Sequence, residues 1–142
     1  MTKLYLTAAL FFCIQIGFAQ TIRTEDNSMN AGKVAWGGQQ INTGKVPFGQ
    51  PVVREFEVKN VSSENLMILQ VKSGCYCTVP EWSKEPVAPG QSTKIKVTYD
   101  GQREGDFYRI VTVLTNFDTN QSVPLALIGK VGAPIVSSTS QN

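Results

Sequence analysis

The feature that most constrains this chain is the alternation in "STKIKVTYD". Ile95, Val97 and Tyr99 fall on one side of an extended backbone; Lys94, Lys96, Thr98 and Asp100 fall on the other. A period of two with one apolar and one wet face specifies a strand that covers a core on a single side. "PVVREFEVKN" repeats the pattern, with Phe56 and Val58 set against Glu55, Glu57 and Lys59. "SVPLALIGKV" sets Val123, Leu125 and Leu127 on one face. "ENLMILQVK" is a short apolar run with polar flanks, read as a strand. "DFYRIVTVLTN" is apolar on both faces and fits a central, well-covered strand.

Between the runs lie "NVSSEN", "APGQ", "DGQREG" and "NFDTNQ", all rich in turn residues. No segment places apolar residues three and four apart over a dozen positions. Strands at this spacing with turns between them indicate an all-β fold, an immunoglobulin-like antiparallel sandwich of about seven strands. The Gly-rich piece "KVAWGGQQINTGKVPFGQ" is expected to supply one or two short edge strands, with Trp36 packed into the sandwich.

The ends read differently. Residues 1–19 carry Lys3, an apolar stretch from Leu4 to Phe18 and the exit Gly17-Phe18-Ala19. That is the pattern of a cleavable signal peptide, with Gln20 as the new N-terminus. The run is short for a membrane span. Residues 20–32 read as a flexible leader, 33–132 as the sandwich and 133–142 as a flexible tail. The expected compartment is therefore outside the cytoplasm, periplasmic or extracellular, with no membrane span once the signal is removed.

Composition narrows the chemistry. Lys and Arg total 13 against 11 Asp and Glu, and the basic residues are scattered. Nothing marks a nucleic-acid surface. The chain has no histidine. A Ser-His-Asp or Cys-His nucleophile is excluded, and zinc sites lose their nitrogen ligands. Glu81 and Glu85 beside Trp82 read as solvated, and Asp100, Glu104 and Asp106 as a hairpin turn without calcium-loop spacing. No catalytic residue, metal ligand set or cofactor is assigned.

The remaining chemistry lies in "VKSGCYCTVPEW". With Cys13 in the signal segment, Cys75 and Cys77 are the only cysteines of the mature chain. Residues two apart on a straight strand have Cα atoms about 6.5–7 Å apart, at the limit of disulfide reach. Closing the bond requires a bend, which the nearby Pro80 allows by ending a strand. Four readings stand open: a structural pair packed beside Trp82, a redox-active pair, a soft-metal site for Cu(I), and an intermolecular disulfide.

From Gly44 to Val131 the order of features resembles the DUF1573 family of secreted bacterial proteins, common in Bacteroidetes. The resemblance rests on "NTGKVPFGQPVVREFEVKN", on "ENLMILQVKSGCYCTVPEWSKEPVAPGQSTKIKVTYD", and on "GDFYRIVTVLTNFD" with "VPLALIGKV". It implies an immunoglobulin-like sandwich of the ASH and major-sperm-protein type and an exported location, and no activity. The family usually writes Ser-Cys-Gly-Cys-Thr at its centre. Here Gly74 follows Ser73, and Tyr76 stands between the cysteines.

Two functions follow as expectations. One is a non-catalytic exported module that binds a protein or other envelope partner through Tyr76 and Trp82. The other is a thiol redox or Cu(I)-handling protein that uses Cys75 and Cys77.

Overall fold

The computed structural model describes residues 32–133. The signal segment, and the leader and tail apart from Gly32 and Ala133, lie outside the described residues. Eight strands form: β1 (Val34–Trp36), β2 (Gln40–Val46), β3 (Val52–Asn60), β4 (Ile68–Ser73), β5 (Thr78–Trp82), β6 (Ser92–Tyr99), β7 (Gly105–Thr115) and β8 (Asp118–Val131). They make two four-stranded sheets, ordered β1-β3-β6-β5 and β2-β8-β7-β4. The sandwich inferred from the sequence is present, with one pairing that alternation does not reveal. β2 runs parallel to β8, while the other named pairs are antiparallel.

The alternating residues fall where their parity places them. From the first sheet Phe56, Val58, Ile95, Val97 and Tyr99 are buried; from the second, Val71, Val111, Val113, Leu125 and Leu127 meet them. Each such side chain gains about 1.5–3 kcal/mol by leaving water. A slip of one residue in any strand would turn this set outward.

Two prolines sit inside strands, contrary to the expectation that Pro80 ends one. Pro80 pairs with Val97 within β5. β5 is an edge strand, so one side of its ladder has no neighbour to miss the absent N–H. Pro124 lies opposite Thr112 in β8. β2 joins β8 only from Ala126 onward, so Pro124 too has an open flank.

The outer faces of the two sheets differ in kind. That of β3, β6 and β5 carries a charge ladder, beside which Val53 and Val79 flank Thr98 and stand exposed. Lys94 Nζ lies 2.7 Å from Glu55 Oε2, and Lys96 Nζ lies 2.6 Å from Glu81 Oε2. The hydrogen bond from Lys94 to Glu55 raises the Lys94 pKa above its ordinary value. Exposed pairs of this kind add little stability and keep the face wet. On the other sheet, β7 is central as expected but is not covered on both sides. Its outward residues Tyr108 and Ile110 are 59% and 39% exposed.

One buried polar group ties the far end of the first sheet together. Asn60 is fully buried at the end of β3. Its Nδ2 donates to the carbonyls of Glu64 (2.7 Å) and Val87 (2.8 Å). Its Oδ1 accepts from the Ser62 amide (3.0 Å) and hydroxyl (2.7 Å). Every polar atom of the side chain is used, so the Asn60-Val61-Ser62 tripeptide is a structural staple rather than an accessible glycan acceptor. Asn60→Ala would take one of two donors from each carbonyl, Glu64 keeping the Ser62 hydroxyl and Val87 the Leu66 amide, and would leave a hole where a fully buried side chain stood. The expected loss is about 2–4 kcal/mol, read as a lower urea midpoint at unchanged slope. Asn60→Asp, which keeps only the acceptors, should recover little of it.

Candidate functional site

The chain must pass from β4, an edge of one sheet, to β5, an edge of the other, in the residues between Ser73 and Thr78. This crossing is the cysteine segment. The Ser73 hydroxyl donates to the Cys75 carbonyl at 2.9 Å, and the Thr78 amide returns to the same carbonyl at 3.3 Å. The Asp100 amide donates to the Cys77 carbonyl at 3.0 Å, tying the crossing to the end of β6. These bonds supply the bend that a straight strand lacks. The Cα atoms of Cys75 and Cys77 close to 5.3 Å, and the two sulfurs are bonded. The intramolecular pair is thus the form present. Neither sulfur is a thiolate ligand for a soft metal in that form.

The two sulfurs are not equivalent. Cys77 packs against the core, while Cys75 lines a cleft of 220 Å³ together with Gly74, Thr78, Tyr108, Arg109 and Ile110. The Thr78 hydroxyl is 3.5 Å from Cys75 Sγ and 3.8 Å from Cys77 Sγ. Thr78 itself is buried, so its hydroxyl has few partners other than sulfur.

Arg109 is the feature that sequence reading passed over. Along β7 it shares the parity of Phe107, Val111 and Val113, which are buried, so it points inward. Its guanidinium carbon lies 4.7 Å from the Tyr99 ring centroid, and Nη2 donates to the Tyr99 hydroxyl at 3.3 Å. Nε is buried without a hydrogen-bond partner. The ion pairs among the described residues all involve lysines, so no carboxylate balances Arg109. Its parity in "DFYRIVTV" was a signal available in the sequence, hidden by reading that run as uniformly apolar.

The structure separates the two aromatic candidates. Tyr76 is 105% exposed at the tip of the crossing. Trp82 is at the opposite end of β5, packed against the core, and its indole N–H donates to the Ile68 carbonyl at 3.3 Å. Thr78, not Trp82, is the neighbour of the sulfurs. Trp82 and the disulfide crossing therefore lace the same seam, β4 against β5, from opposite ends. Tyr76 instead shares its end of the sandwich with Tyr108 and Ile110, whose outward exposure the sequence did not reveal. The half-buried Trp36 packs against the core from edge strand β1.

Trp82→Phe should keep the packing and lose the bond across the seam. It is expected to cost about 1 kcal/mol in urea unfolding. Tyr76→Ala, which removes a side chain surrounded by water, should leave the midpoint unchanged within about 0.5 kcal/mol.

Known proteins share this architecture at low sequence identity. The chain is similar to a protein of unknown function from Porphyromonas gingivalis W83, with TM-score 0.61 and 14% identity over 70% of this chain. It spans only 46% of that protein, about half its length. It is similar to the ASH/PapD-like domain 7 of human CEP192, with TM-score 0.60, 11% identity, 74% of this chain and 88% of that domain. It is also similar to the YadV chaperone, with TM-score 0.53, 11% identity, and 71% and 53% coverage. These likenesses establish the immunoglobulin-like, PapD-like sandwich. No curated protein matches the chain. Residues 34–131 match the family described as protein of unknown function (DUF1573), which takes in all eight strands, and the chain belongs to that family.

Proposed function

We propose that this protein is an exported binding module that holds a protein partner against the outer face of β7 and the adjoining cysteine crossing. The observation that carries this reading is the contrast between the two outer faces. One carries a lysine–glutamate ladder, with the smaller Val53 and Val79 exposed beside it; the other has the Lys130–Asp106 pair at its margin and exposes the larger Tyr108 and Ile110 near the fully exposed Tyr76. Aromatic side chains at such positions contribute large contact area with few rotors to freeze.

Several features support this assignment. The absence of histidine removes the usual catalytic base. Export is supported by the signal-like pattern of residues 1–19 and by a disulfide, which persists in oxidising compartments. No helix among the described residues is long and apolar enough to cross a membrane. A chaperone is among the proteins that use this sandwich, which is consistent with a protein-holding role.

The test is a paired set of surface variants. Tyr108→Ser with Ile110→Ser, and separately Tyr76→Ala, should cut capture of envelope proteins by at least about tenfold at unchanged melting temperature. Lys94→Ala with Lys96→Ala, on the opposite face, should leave capture intact. Loss of capture from the charged face, with the Tyr108 and Ile110 variant still binding, would overturn the assignment of the surface.

A further inference from the structure

We infer that Cys75 and Cys77 form a thiol–disulfide exchange centre, with Cys75 the sulfur attacked and Arg109 the group that stabilises it as a thiolate. The centre borders the surface assigned to the partner, sharing Tyr108 and Ile110 with it, but the inference does not rest on that docking.

Three observations converge. Access is asymmetric, because Cys75 faces the open cleft and a neighbouring surface hollow while Cys77 packs on the core. An incoming thiolate therefore reaches Cys75 Sγ first. The cleft that holds Cys75 also holds an inward arginine with no carboxylate partner and an unbonded Nε. A partly buried cation without a counter-ion is costly, and a thiolate is the anion this cleft can generate. Finally, the Thr78 hydroxyl stands near both sulfurs, able to donate to whichever carries the negative charge. A disulfide that served only to hold the crossing would need neither the arginine nor the hydroxyl. Its closed loop spans a single intervening residue, so it constrains little of the unfolded chain.

The exchange balances with a dithiol as reductant, either a small molecule or a protein of the same compartment. One thiolate of the dithiol attacks Cys75 Sγ, the Cys75–Cys77 bond breaks, and Cys77 leaves as thiolate beside Thr78. The second dithiol sulfur then attacks its own sulfur in the mixed disulfide and releases Cys75 as thiolate in the Arg109 cleft. The dithiol is oxidised to a disulfide. Of its two protons, carried through water, one finishes on Cys77 and the other goes to solvent, leaving Cys75 as the thiolate beside Arg109.

The experiment equilibrates the purified mature chain in a graded series of reduced and oxidised glutathione. Acid quenching, maleimide labelling and mass measurement then give the reduced fraction. The reduced fraction is expected to pass from none to complete within the series. Arg109→Gln should need several-fold more reduced glutathione for half reduction, since it loses stabilisation of the reduced form, and Arg109→Lys should recover most of the shift. On the reduced wild-type chain, iodoacetamide at pH 7 should modify Cys75 at least about tenfold faster than Cys77, as read from peptide masses. The wild-type measurements need no variant to fold. A pair that stays bonded across the whole series overturns the proposal. So do equal alkylation rates for the two cysteines in the reduced chain.

Discussion

The constraint on which the structure depends is the passage from one sheet to the other between β4 and β5. Both strands are edges, so the crossing has no ladder partner of its own and must be held by local bonds. Hydrogen bonds from Ser73, Thr78 and Asp100 provide that hold, and the Cys75–Cys77 bond closes within the bend they set. Trp82 fastens the other end of the same seam to the Ile68 carbonyl. With the seam fixed, the inner faces of the sheets can meet in one register. Tyr99 then stacks on Phe107 at a centroid distance of 4.6 Å, beneath Arg109.

The same arrangement accounts for the location of the reactive residues. A crossing at the end of a sandwich projects side chains that neither sheet covers, and Tyr76 is one of them. β7 passes behind it and turns Arg109 inward and Tyr108 and Ile110 outward by simple alternation. One stretch of three residues thus supplies both the cation near the sulfurs and the apolar surface beside them. The opposite side of the molecule carries the lysine–glutamate ladder and exposes the smaller Val53 and Val79.

Much of this was legible in the sequence, for a physical reason. Parity in a strand is set by geometry alone, so Phe56, Val58, Ile95, Val97 and Tyr99 could be placed inside without knowing what they face. Which sheet covers which was not legible, because it depends on strand order. That is why β7 was read as covered on both faces, and why the parallel pairing of β2 with β8 was not foreseen. The cysteine bond was open to several readings because a straight strand holds the Cα atoms too far apart. The bend that resolves it comes from local hydrogen bonds of Ser73 and Thr78 to the Cys75 carbonyl together with one from the distant Asp100 to the Cys77 carbonyl. Trp82 could not be told from a surface aromatic until β5 was seen to begin at Thr78 rather than to end before Pro80.

The central claim is that the disulfide crossing and the neighbouring part of β7 form one responsive surface on an otherwise rigid sandwich. Amide chemical shifts of the mature chain, recorded oxidised and then after reduction, test it most directly. The account predicts changes at residues 74–78 and around Arg109, with the outer face of β3 and β6 and the amides around Asn60 unmoved. A global loss of shift dispersion on reduction, or changes confined to the two cysteines, would contradict it.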